Sequence, residues 1–151
     1  MFATLRRHSK LQLWAALPLI LAFAACGDDP VAQEEDPADA VVAMRLVVGS
    51  QTITVSDNGT VTGGPIVLPR GNTTITASFL DDANAVVTGL DEFRLEVTTD
   101  NAAVASFTRT SAFVGNLVGS AAGQTILRFS LWHIAEGHND FGPLPVSTTV
   151  N

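Results

Sequence analysis

From Val41 onward, apolar residues recur at every second position in short runs separated by Gly, Asn, Asp and Pro. That period belongs to half-buried strands and not to the 3.6-residue repeat of a helix. Over 73–80, Ile75, Ala77 and Phe79 share one face and Thr74, Thr76 and Ser78 the other. Over 92–98, Phe93, Leu95 and Val97 alternate with Glu92, Arg94 and Glu96. Over 125–133, Leu127, Phe129 and Leu131 oppose Ile126, Arg128, Ser130 and Trp132. The same reasoning predicts strands at 44–49, 52–56, 60–62, 66–68, 104–108, 113–118 and 144–150. Gly49-Ser50 and Asp57-Asn58-Gly59 are tight-turn signals, and Asp81-Asp82-Ala83-Asn84 is a further turn. Many short strands, frequent turns and little helix predict an all-β antiparallel sandwich or barrel.

Two segments before this region break the pattern. Residues 1–25 carry Arg6, Arg7 and Lys10, then an apolar run from Leu11 to Ala25 interrupted by Pro18. A basic start followed by a short apolar stretch is the build of a cleaved secretory leader. The run is short for a spanning helix, which needs about 20 apolar residues. Residues 26–42 hold Asp28, Asp29, Glu34, Glu35, Asp36 and Asp39 with Pro30 and Pro37, and read as an acidic flexible tether. The folded domain is then expected over 43–151, with a leading hairpin at 43–62 and a core at 63–151.

The leader ends in Phe23-Ala24-Ala25-Cys26, and Cys26 is the single cysteine of the chain. This ending resembles the lipobox of bacterial lipoproteins. The resemblance implies cleavage before Cys26 and a diacylglycerol lipid on its sulfur, which anchors the chain in a membrane. It also implies an outer-membrane location, because Gly27 and not an aspartate follows the cysteine. An ordinary leader cut after Ala25 or Ala22 is the alternative reading. Thioether attachment would also dispose of a lone thiol in an oxidising compartment.

A second resemblance rests on three stretches. They run from Gly71 to Val87, from Leu95 to Phe107 and from Asn116 to Leu127. Together they resemble the bacterial Ig-like domains of surface and periplasmic proteins. The match covers roughly 66–150 and implies an Ig-like sandwich that serves as a binding or structural module. An envelope protein or polymer is the partner class it implies.

Charge narrows the partners. From Cys26 on, five arginines stand against fifteen acidic residues with no lysine, a net charge of −10. Such a chain is repelled by nucleic acid and by anionic lipid headgroups. No nucleophile elbow, phosphate-cradling loop or second cysteine is present, so a non-catalytic chain is expected. The one concentration of ligand-capable side chains is His133, Glu136, His138 and Asp140. Two imidazoles with carboxylates suit Zn²⁺ or Cu²⁺, although the spacing matches no strong metal signature. The competing expectation is a half-buried His133 ending a strand and a solvated loop carrying His138. Asp81, Asp82, Asn84, Asp91 and Asp100 fall in separate turns and are expected to serve turn geometry, not Ca²⁺.

Overall fold

The computed structural model describes residues 36–151. The leader 1–25, Cys26 and the first part of the acidic tether lie outside the described residues. The described chain is all-β, with ten strands in two sheets and no α-helix. The strands are β1 (Ala43–Val48), β2 (Gln51–Ser56), β3 (Val61–Thr62), β4 (Ile66–Leu68) and β5 (Gly71–Leu80). They continue with β6 (Phe93–Thr99), β7 (Ala105–Arg109), β8 (Val114–Gly119), β9 (Gly123–His133) and β10 (His138–Val150). One sheet has the order β3-β2-β1-β5-β8-β7 and the other β4-β10-β9-β6. Every pairing is antiparallel except β4 with β10.

The sheets enclose one apolar core. Its members are the residues that alternation assigns inward: Ile75 and Phe79 from one sheet, Leu95, Leu127, Phe129 and Leu131 from the other, all essentially inaccessible. Burying side chains of this size stabilises by about 1.5–3 kcal/mol each, which is why the pleat cannot slip by one residue. The leading hairpin belongs to the sandwich. β1 pairs with β5 along its whole length, and Met44, Leu46, Ile53 and Val55 fill the same core.

Side chains stitch both open sides of the sandwich. Gln51 of β2 accepts from Val67 N at 3.0 Å and donates to Pro65 O at 3.5 Å, tying the first sheet to the β4 edge. On the other side Arg109 of β7 reaches β6, where its Nε donates to Leu95 O at 3.1 Å and its guanidinium meets Glu96 at 2.5 Å. Both links reach an edge strand of the second sheet, β4 or β6, and so occupy backbone groups that would otherwise be free to pair with another chain.

Two differences from the sequence reading concern the ends of elements. Packed structure reaches back at least to Asp36, ahead of the expected boundary at 43. Pro37–Ala40 forms a 3-10 turn whose N-cap, Asp36, accepts from Ala38 N at 2.8 Å, and Ala38 and Val41 join the core. Asp before Pro is a helix-start signal, with a side-chain acceptor at the cap and a ring that fixes φ at the first helical position. The acidic composition around it obscured that signal. The last strand begins at His138 and not at 144, which draws the expected loop of His138 into the sheet.

Candidate metal centre

The β9–β10 hairpin and the strand beside it build the site. His133 is the last residue of β9, paired with Phe93 of β6 on one side and His138 of β10 on the other. Directly opposed residues of antiparallel strands project to the same face, so the two imidazoles meet. Their ring centres lie 5.9 Å apart. Phe93 lies 4.4 Å from the His133 ring at a tilt of 33° and forms an apolar wall behind it.

A register shift brings in the third side chain. Asn139 pairs with Trp132 and Phe141 with Leu131, so Asp140 is an extra residue without a partner. A one-residue bulge re-aims the side chain it carries. In unbroken alternation Phe141 would point outward; instead it is buried in the core. The Asp140 carboxylate turns toward the histidines, and its side chain is only 16% exposed. A second shift follows at Gly142 and Pro143. Gly142 has φ +84°, and a Cβ there would stand 2.5 Å from Phe129 O, so only glycine fits.

Around this frame the polar atoms converge. His133 Nδ1 lies 3.3 Å from Asp140 Oδ2 and 3.6 Å from Glu136 Oε2. His138 Nε2 lies 2.5 Å from Asp140 Oδ1 and 3.5 Å from the same Glu136 oxygen. On the far side of the His133 ring, Nε2 lies 3.5 Å from Glu92 Oε2. The ligand atoms of His133, Glu136 and His138 all fall within 4.8 Å of one another, as do those of Asp36, His133 and Asp140. The His133 side chain is 8% exposed, and among the described residues its Nδ1 has no hydrogen-bond partner. An unsatisfied buried nitrogen costs about 1–3 kcal/mol.

The four residues singled out in the sequence, His133, Glu136, His138 and Asp140, are thus gathered in one place. Asp36 and Glu92 join them from elsewhere in the chain: the sequence pattern places the first in the tether and the second on the outward face of a strand. The other acidic residues do not gather. Asp81 Oδ1 accepts from Ala83 N and Ala85 N at 2.9 and 2.8 Å, which is turn chemistry. Asp100 pairs with Arg128, whose hydrogen bond holds its carboxyl below the usual aspartate range and raises the guanidinium in turn. Trp132 lies across from Arg94, whose guanidinium sits 5.9 Å from the ring centre. A shallow groove of about 570 Å³ beside Asn101, Thr125 and Thr148 lies at the opposite end of β9. Its one charged group, Asp100, is the partner of Arg128.

No family model and no curated protein matches the chain. Among solved structures, it is similar to domains 4 and 5 of the S-layer protein SbsC, at 14% identity and a TM-score of 0.43. That alignment covers 70% of this chain and 53% of the other, so the chain spans about half of that structure.

Proposed function

We propose that this protein is a lipid-anchored envelope module: a non-catalytic, Ig-like β-sandwich held at a membrane by Cys26. The observation that carries the reading is the position at which the sandwich begins. Ala38 and Val41 are part of the core, so the sandwich reaches back at least to Asp36, ten residues after Cys26. Ten residues reach at most about 33–36 Å, which keeps the domain close to the lipid surface. The net charge of −10 opposes adsorption to that surface. Among the described residues no helix is long and apolar enough to cross a membrane.

Strand order supports the Ig-like part. β5-β8-β7 faces β6-β9-β10, the arrangement of strands B-E-D against C-F-G in an Ig sandwich, and β1 stands beside β5 where strand A would stand. Fold alone names no partner. An envelope protein or polymer contacted through a sheet face or loop tips is the partner class in this reading, and an outer-membrane location follows from Gly27.

Mass spectrometry of the chain recovered from a bacterial membrane fraction tests the anchor. The expected species begins at Cys26 and carries acyl chains, and Cys26→Ser shifts the protein out of the membrane fraction. A soluble chain cut after Ala22 or Ala25 with an unmodified thiol would end this reading.

A further inference from the structure

We infer that the hairpin end of the sandwich is a transition-metal site of the Zn²⁺ or Cu²⁺ class, with His133 Nδ1, His138 Nε2, Glu136 and Asp140 as ligands. The distances argue for it. Tetrahedral bonds of about 2.0–2.2 Å place neighbouring ligand atoms about 3.3–3.6 Å apart. The separations from His133 Nδ1 to Asp140 Oδ2, from His133 Nδ1 to Glu136 Oε2, and from Glu136 Oε2 to His138 Nε2 are 3.3, 3.6 and 3.5 Å. These match three edges of such a tetrahedron, while His138 Nε2 to Asp140 Oδ1, at 2.5 Å, is shorter than an edge, so Asp140 is assigned to ligate through Oδ2. None of the contacts satisfies His133 Nδ1 by hydrogen bonding among the described residues, although the atom is buried and aimed between the two carboxylates. A metal ion supplies the missing partner.

The surroundings have the form that metal-bound histidine requires. A ligating imidazole generally directs its second nitrogen to a carboxylate, which fixes tautomer and orientation. Glu92 stands 3.5 Å from His133 Nε2 in that role, and Phe93 fixes the plane of the ring from the apolar side. Two nitrogens in the set favour Zn²⁺ or Cu²⁺ over Ca²⁺ and Mg²⁺, which seek oxygen. Asp36 adds a consequence. It shares the 4.8 Å neighbourhood with His133 and Asp140 while capping the 3-10 turn at which the chain joins the sandwich. Asp36 therefore brings the 3-10 turn beside two of the four ligands without being one of them.

The test is Zn²⁺ titration of the full chain in detergent, followed by calorimetry and chelator competition, with Co²⁺ as a coloured probe of four-coordination. The expected result is one equivalent bound, visible Co²⁺ absorption, and no competition from excess Mg²⁺ or Ca²⁺. His138→Ala removes a half-exposed side chain and Asp140→Asn keeps the shape of the one it replaces, so circular dichroism should show their fold intact. Each should weaken binding at least about a hundredfold, beyond the 10–100-fold typical of outer contacts, while Glu92→Gln costs about tenfold. Asp36→Asn should weaken binding without abolishing it. The inference is overturned if the folded parent takes up no stoichiometric Zn²⁺, or if His138→Ala and Asp140→Asn bind as the parent does. The site does not depend on how the chain is anchored, so Cys26→Ser should leave its affinity unchanged.

Discussion

The sandwich contains two long hairpins that obey opposite rules. In β1–β2 every residue keeps its partner from Ala43–Ser56 to Val48–Gln51. The turn is the two residues Gly49 and Ser50, with the positive φ of a II′ turn on Gly49. Its inward residues are apolar and its outward ones mostly polar, with Val47 the exposed exception, so hydrophobic burial and turn geometry ask for the same register. In β9–β10 the turn spans 134–137, the register shifts twice within a few residues, and charged side chains cluster at the tip. The first hairpin contributes stability. The second gives up regular pairing at one end, and that irregularity aims Asp140 at two histidines. Local inconsistency in an otherwise consistent fold is the mark of a site kept for something other than folding.

The largest expected effect probes the regular hairpin. Leu46→Ala should cost about 2–5 kcal/mol in urea unfolding by leaving a cavity between the sheets, yet leave Zn²⁺ affinity within a factor of a few. A large loss of affinity would mean the two hairpins are not independent. Next is Gly142→Ala, which meets Phe129 O and a left-handed backbone. It should cost about 1–3 kcal/mol and, unlike Leu46→Ala, displace the NMR resonances of His138 and Asp140. Unmoved resonances would show that the second register shift does not hold the first.

His133→Leu divides stability from chemistry. Without metal the variant should be as stable as the parent or more stable by about 1 kcal/mol, because an unsatisfied buried nitrogen is gone. With Zn²⁺ at a hundred times its dissociation constant only the parent should gain, by about 2.7 kcal/mol. A variant that loses stability in the absence of metal would make His133 a structural residue. The smallest effect lies at Arg128, in the middle of β9. The Arg128 hydrogen bond lowers the Asp100 pKa in the folded state. The contribution is therefore complete above the ordinary aspartate range near pH 3.9 and is lost as pH falls through the lower folded value. The parent should lose this increment in acid, and Arg128→Gln should show a correspondingly shallower acid slope. Both groups are solvent-exposed, so the difference should be slight and reduced further by salt.

Most strands were legible because burial enforces a period of two. Phe79, Leu95 and Phe129 each sit where alternation assigned them. The site was legible as a composition, four ligand-capable residues within 133–140, but not as a geometry. The pattern placed His138 in a loop because Gly137, Asn139 and Pro143 look like loop residues, and the bulge at Asp140 has no signature in a single sequence. Glu92 and Asp36 were beyond reach for a simpler reason: they lie 41 and 97 positions from His133.

By itself, then, the sequence determined the all-β class, the inward faces of the long strands, the tight turns and the acidic character of the domain. These follow from local chemistry: alternation, turn preference and charge. Only the tertiary structure decided that the leading hairpin completes a six-stranded sheet, that Ala38 and Val41 join the core, and that His133 is buried with an unpartnered nitrogen facing Asp140 and Glu136. Those outcomes depend on which strands pair and in what register, and register is settled by the whole core at once.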